Sequence, residues 1–172
     1  MSYLIISTVS RSDVQVKLAL DELGTTLDDV RVIYADEMNL AACVGCNSCW
    51  LRTPGICPIK DDYEQLLIQY LQFDSIIFIT EAKFGFVSYK MKNMMDRTLP
   101  LLTMYLKCYD GQMRHVARYK KSFHMGILYI GDGDKEYLNE WMARAMLNLH
   151  GASLGAYELS QRKELYHALG HN

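Results

Sequence analysis

Short unbroken apolar runs alternate along this chain with segments whose apolar residues recur at helical spacing, and few folds accommodate that alternation. Tyr3-Leu4-Ile5-Ile6 and Ser75-Ile76-Ile77-Phe78-Ile79-Thr80 read as strands buried on both faces. Residues 30–35, 123–130 and 152–159 read as three further strands. Between them, Val16, Ala19, Leu20 and Leu23 lie on one face of a helix, with Gly24 as its expected stop. Asp61 and Asp62 stand as caps before a helix carrying Tyr63, Leu66, Leu67, Tyr70 and Leu71. Ser88 is an N-cap for a helix through Met91, Met94 and Met95 that ends near Pro100. Gly131-Asp132-Gly133-Asp134 supplies turn and cap chemistry before the longest helix, marked by Leu138, Trp141, Met142, Ala145 and Leu149. The pattern predicts an α/β fold, a doubly wound five-stranded parallel sheet with helices on both faces.

With 172 residues, 50% of them hydrophobic and 22% charged, the chain is long enough to bury a core as one domain over residues 1–172. A formal net charge of -2 gives no electrostatic case for nucleic acid or an anionic membrane as partner. The apolar runs are short and the start of the chain has no basic region followed by a long apolar one, so neither a membrane span nor a secretory signal is expected. The connection over residues 101–122 is rich in Leu, Met and Tyr and ends in Arg114, His115, Arg118, Lys120 and Lys121. Its length and composition suit a dimer surface or a lid.

Four of the five cysteines fall within 15 residues, as Cys43-x2-Cys46-x2-Cys49-x7-Cys57. In a domain that builds its own core, such crowding argues for metal, cluster or redox chemistry in a reducing cytoplasm rather than a disulfide scaffold. Thiols at intervals of three with a fourth nearby suit an iron-sulfur cluster, while free thiols and a zinc site remain open alternatives.

Chemistry in such a sheet belongs to the loops at the carboxyl ends of the strands, here after Ile6, Ala35, Ile79 and Ile130. The first of these loops offers Ser7, Thr8, Ser10, Arg11 and Ser12 to a helix N-terminus, an arrangement that suits a phosphate or an ordinary Ser cap. It contains no glycine, so neither a dinucleotide fingerprint nor a P-loop is present. Phe84-Gly85-Phe86 could flank a planar ring or pack in the core. His124 and His150 read as structural or surface residues.

In the order of its elements, the chain resembles the flavodoxin-like NADPH-dependent FMN reductases, in particular the branch that includes the iron-sulfur flavoproteins. Three patches carry the resemblance: residues 7–12 at the phosphate loop, the cysteine motif running into Cys57-Pro-Ile-Lys-Asp-Asp62, and the stretch from Phe84-Gly85 to Lys92 with Asp96-Arg97. Arg118-Tyr119-Lys120-Lys121 is similar as well. The resemblance implies a flavodoxin-like fold, FMN as cofactor and NAD(P)H as cosubstrate. It further implies that Ser7, Ser10, Arg11 and Ser12 hold the FMN phosphate, that Glu81, Ala82, Lys83, Phe84, Gly85 and Val87 line the flavin ring, and that Cys43, Cys46, Cys49 and Cys57 bind a [4Fe-4S] cluster. It implies a homodimer or homotetramer that passes electrons to a small-molecule acceptor or a redox protein. The chain departs from the family in having Ser7-Thr8-Val9 where Gly-Ser-Pro is usual, and Glu81, Ala82 and Lys83 where a Pro and a Tyr are usual.

Three functions follow as expectations. The first is an FMN-dependent oxidoreductase of the NAD(P)H-dependent flavin or quinone reductase type. The second is an iron-sulfur flavoprotein acting in electron transfer, and the third a flavodoxin-like binding module without FMN.

Overall fold

A computed structural model describes residues 1–170; the last two residues of the expected 1–172 domain lie outside the described residues. The first strand, β1 (Tyr3–Ser7), is buried at every position, as a central strand covered on both faces must be. It leads to α1 (Val14–Thr26) and β2 (Val30–Tyr34). The cysteine segment contains one short helix, α2 (Ser48–Leu51), and runs into α3 (Tyr63–Gln72). Then come β3 (Ser75–Val87), α4 (Tyr89–Asp96), β4 (Leu102–Tyr109) and β5 (Gln112–Ala117). The chain continues through β6 (His124–Gly133), α5 (Lys135–Asn148), β7 (Ala152–Glu158) and α6 (Arg162–Ala168).

Among the described residues, five strands form one parallel sheet in the order β2-β1-β3-β6-β7, the flavodoxin-like order, and β4 pairs with β5 in a separate antiparallel hairpin. Side chains alternate between the faces of the sheet. Leu4, Ile6, Ile76, Phe78 and Ile127 pack against Leu66 and Tyr70 of α3, Met91 and Met94 of α4, and Leu138 and Met142 of α5. Tyr3, Ile5, Ile77, Ile79 and Leu128 pack on the opposite side against Val16, Ala19 and Leu23 of α1 and Leu165 of α6. Among the described residues, no helix is long and apolar enough to cross a membrane.

Two local expectations need correction, and two elements went unread in the sequence. Gly24 does not stop α1, which continues to Thr26 because buried Leu27 docks in the core and donates its amide to Leu23; an internal Gly costs only about 1 kcal/mol. Where a loop is expected after Ile79, the chain instead continues β3 to Val87, paired with β6 as far as Gly85↔Gly133 across an irregularity. The 101–122 connection is a hairpin, turned by Asp110 (φ 50°) and Gly111 (φ 76°), the pair that a primed two-residue turn requires. The helix α6, which carries no expectation above, covers one face of the sheet with Leu165 and Tyr166.

The extension of β3 along β6 depends on Gly131. Its φ is +97°, and a Cβ there would stand 2.7 Å from the Ala82 carbonyl oxygen. Gly131→Ala is expected to cost about 2 kcal/mol or more, because backbone strain and a clash with main chain coincide. Urea unfolding of the variant checks this.

Candidate functional site

The strand order reverses between β1 and β3, and a cleft of about 630 Å³ opens at that point. It is lined by Thr8, Val9 and Ser10 after β1, by Asp36 after β2, and by Glu81, Lys83, Phe84, Val87, Ser88, Tyr89 and Lys90 from the end of β3 and the start of α4.

The hydroxyls of the first loop divide into two sets. Ser7 Oγ donates to the Val9 carbonyl, and Thr8 Oγ1 is engaged with Thr80 Oγ1 and Ser88 Oγ, at 3.0 and 3.1 Å. These bonds tie the loop to β3 and to the cap of α4, where Ser88 Oγ accepts from the Met91 amide as its position predicts. Ser10 and Ser12 are exposed and bonded to each other at 2.9 Å. Among the described residues, the amides of Ser10 and Arg11 make no hydrogen bond within the chain. The cap of α1 is Asp13 rather than a serine, with its carboxylate accepting from the Val16 amide at 3.0 Å. A carboxylate therefore already faces the positive end of the α1 dipole, and the loop amides and hydroxyls are what remain for an anion.

Of the ten residues expected at FMN, Ser10, Glu81, Lys83, Phe84 and Val87 line the cleft. Ser7 and Ala82 are buried beneath it. Arg11 and Ser12 border a neighbouring groove with Lys17 and Tyr34, where the Arg11 guanidinium forks onto Glu37 at 2.8 and 2.9 Å and lies 4.2 Å over the Tyr34 ring. Glu81 is paired with Lys83 at 3.5 Å, both exposed. Phe84 and Gly85 are both left-handed, with φ of 54° and 79°. The Asp134 amide, at the cap of α5, donates to the Gly85 carbonyl and pins this bend. Phe84 is 97% exposed at the cleft, so neither packing nor backbone preference accounts for its position. Val9, Asp36, Tyr89 and Lys90 also line the cleft, and no pattern in the sequence singles them out.

The cysteine segment forms a closed loop. Its neck is made where Asp62 and Asn39 exchange bonds, the Asp62 amide donating to the Asn39 carbonyl and the Asn39 amide to the Asp62 carboxylate. Asp61, expected as a cap, does accept from the Tyr63 amide, but its carboxylate is chiefly engaged by Arg97 and by the Ala41 amide. Inside the loop, Gly45 and Asn47 turn the chain with φ of 66° and 55°. Cys43 and Cys46 are exposed, Cys57 is half-buried and Cys49 is buried. Bonds from the amide and hydroxyl of Ser48 lower the pKa of the Cys46 thiol, whereas burial, reinforced by Cys57, Cys43 and Cys46, raises that of Cys49. Among the described residues, no three His, Cys, Asp or Glu side chains converge on a metal position. Trp50 fastens the loop to the hairpin, donating to the Leu99 carbonyl at 2.8 Å and packing on His115 with ring centroids 4.6 Å apart. A smaller cleft of about 240 Å³ shares Asp36, Tyr89 and Lys90 with the main one and reaches Asn39 and Leu40 at the neck.

No family model matches the chain. The chain is 35% identical over 86 residues to an iron-sulfur flavoprotein of Methanocaldococcus jannaschii, a match covering 50% of this chain and 44% of the relative. The chain thus spans less than half of that relative's length. Among solved structures it is similar to RosB, determined with bound 8-demethyl-8-formylriboflavin-5'-phosphate, at a TM-score of 0.63 and 14% identity over 91% of this chain and 64% of RosB. It is also similar to azoreductase AzrA, at a TM-score of 0.60 and 13% identity over 99% of this chain and 96% of that one. Likenesses at this identity establish the flavodoxin-like fold.

Proposed function

We propose that this protein is an FMN-dependent oxidoreductase of the NAD(P)H-dependent flavin or quinone reductase type. The observation that carries the reading is the cleft of about 630 Å³ at the β1–β3 switch point, where this strand order places FMN. The residues present suit the cofactor. Unspent amides at Ser10 and Arg11 and the Ser10 and Ser12 hydroxyls answer to a phosphate, with Ser7 shaping the loop from below and Arg11 within reach from the adjoining groove. Glu81, Ala82, Lys83, Phe84, Gly85 and Val87 would border the ring, and the Glu81–Lys83 pair offsets the carboxylate that departs from the family pattern. The flavin supplies hydride and single-electron chemistry; the protein's part is to bind it, orient it and admit NAD(P)H and the acceptor. The RosB and azoreductase likenesses and the iron-sulfur flavoprotein relative support this reading.

A second reading adds a [4Fe-4S] cluster on Cys43, Cys46, Cys49 and Cys57, making the protein an electron carrier toward a redox partner. Its support is a set of four soft thiols held in one closed loop whose neck borders the second cleft. The hairpin exposes Met104, Tyr105, Leu106 and Met113, an apolar surface that suits assembly into a homodimer or homotetramer.

The absorption spectrum of anaerobically purified protein separates these readings. Two flavin bands are expected, at one FMN per chain after reconstitution and desalting, with broad additional absorbance where a cluster is bound. Failure to retain FMN would overturn the oxidoreductase reading and leave the binding-module alternative.

A further inference from the structure

Arg97 follows α4 and is buried, with its side chain 2% exposed. Its Nη1 and Nη2 fork onto Asp61 Oδ2 and Oδ1 at 2.5 and 2.9 Å, and the Asp61 side chain is 3% exposed. Nη1 also donates to the Ala41 carbonyl at 2.9 Å, and Nη2 to Cys57 Sγ at 3.4 Å. The guanidinium lies 4.4 Å over the Tyr63 ring. Asp61 in turn accepts from the Ala41 amide at 2.8 Å and from the Tyr63 amide at 3.2 Å. One ion pair therefore grips Ala41 by both its amide and its carbonyl, ahead of Cys43, and also holds Cys57, the last cysteine. All four cysteines lie in the loop that it closes.

We infer that Arg97 and Asp61 form a clamp that closes the four-cysteine loop before anything is bound there, and that Arg97 is the positioning residue for Cys57. A loop of this length has an entropic cost of closure, and a preformed clamp removes that cost from the binding of any ligand by the thiols. The planar fork suits the task, because a single guanidinium reaches a carboxylate, a carbonyl and a sulfur in fixed directions. A lysine concentrates its three donors on one nitrogen and lacks the rigid fork that spans these separated acceptors. The same arrangement links the two candidate sites, since α4 lines the main cleft with Tyr89 and Lys90 at its start and is followed directly by Arg97.

The closure needs no ligand, so only the iron-binding arm of the test rests on the cluster reading. The decisive variant is the double replacement Arg97→Met with Asp61→Leu, which removes both charges and leaves neither one buried alone. In the metal-free full-length protein, amides between residues 41 and 61 are expected to exchange at least about tenfold faster in this variant, while amides of β1 and β3 keep their protection. After anaerobic reconstitution with iron and sulfide, the double variant is expected to lose most of the bound iron and visible absorbance, with Arg97→Lys recovering part of both. Unchanged exchange in the loop, or an equal rise in the sheet, would overturn the clamp. Full iron incorporation by the double variant would overturn the positioning role. Failure of the wild-type protein to take up iron would overturn the positioning role, and a loop-specific rise in exchange in the double variant would then leave the clamp standing by itself.

Discussion

Arg97→Ala is expected to lower folding stability by about 3 to 5 kcal/mol at pH 7, the largest loss foreseen for a single replacement in this chain. The loss comes from what is left behind. Asp61 would keep its burial and its bonds from the Ala41 and Tyr63 amides but lose the only cation that touches it among the described residues. An unpaired buried carboxylate is far costlier than the loss of a surface ion pair, which is worth about 0 to 1 kcal/mol.

The pH dependence should carry the same signature. In the wild-type protein, burial pushes the Asp61 carboxyl up, but the Arg97 hydrogen bonds and charge and the amides of Ala41 and Tyr63 outweigh it, so its pKa lies below the ordinary value. A group depressed on folding contributes stability that is present above its unfolded pKa, about 3.9, and is lost as the pH falls through the lower folded value. In Arg97→Ala that contribution is gone, and burial now favours the protonated acid. The deficit of the variant should therefore be widest near neutral pH, begin to shrink above about pH 4 as the variant's buried carboxyl takes up a proton, and shrink further below about pH 4 as the wild-type contribution is lost. Urea unfolding of both proteins at pH 7, 5 and 3 measures the gap; one that stays constant with pH would show that Asp61 is not its source.

Ser10→Asp should weaken FMN binding by about 100-fold or more. Ser10 lies at the cleft with an exposed side chain and an amide unspent on internal bonds, so in the proposed binding mode a carboxylate there would face the phosphate. Repulsion between like charges of about 2.7 kcal/mol corresponds to two decades in affinity. The same replacement should barely move stability, because an exposed loop position outside the core tolerates change. Riboflavin, which lacks the phosphate, should bind the variant and the wild-type protein alike. Fluorescence titrations with FMN and riboflavin separate the cases: equal losses for both would place the phosphate elsewhere.

The Arg97 result illustrates how the site divides between what the sequence shows and what it hides. Asp61 stands before an apolar helical face and reads as a cap; only folding reveals that its carboxylate is bound by a residue 36 positions later. In the first loop, the run of hydroxyls is legible, but not which of them are free. Ser7 and Thr8 are drawn inward by the Val9 carbonyl and by Thr80 and Ser88, and the latter two belong to another strand and a helix cap. Arg11, read as a phosphate ligand by resemblance, is turned to Glu37 and Tyr34 because β2 lies beside β1. The Asp110-Gly111 turn, by contrast, is local chemistry visible in two letters, and it converts a long connection into a hairpin. The short α6 escapes detection because seven residues span barely two turns, too few for a helical period to stand out.

The sequence alone determined the parallel sheet, its helices on both faces and the four thiols confined to one connection. Each of these follows from periodicity or spacing within a few residues, where steric and hydrophobic preferences act locally. The tertiary structure decided which loops meet at the switch point, how β3 and β6 extend past the sheet to carry Phe84 to the edge of the cleft, and which distant arginine closes the cysteine loop. Those outcomes depend on strand order and on contacts between groups far apart in the chain, and no local pattern encodes them.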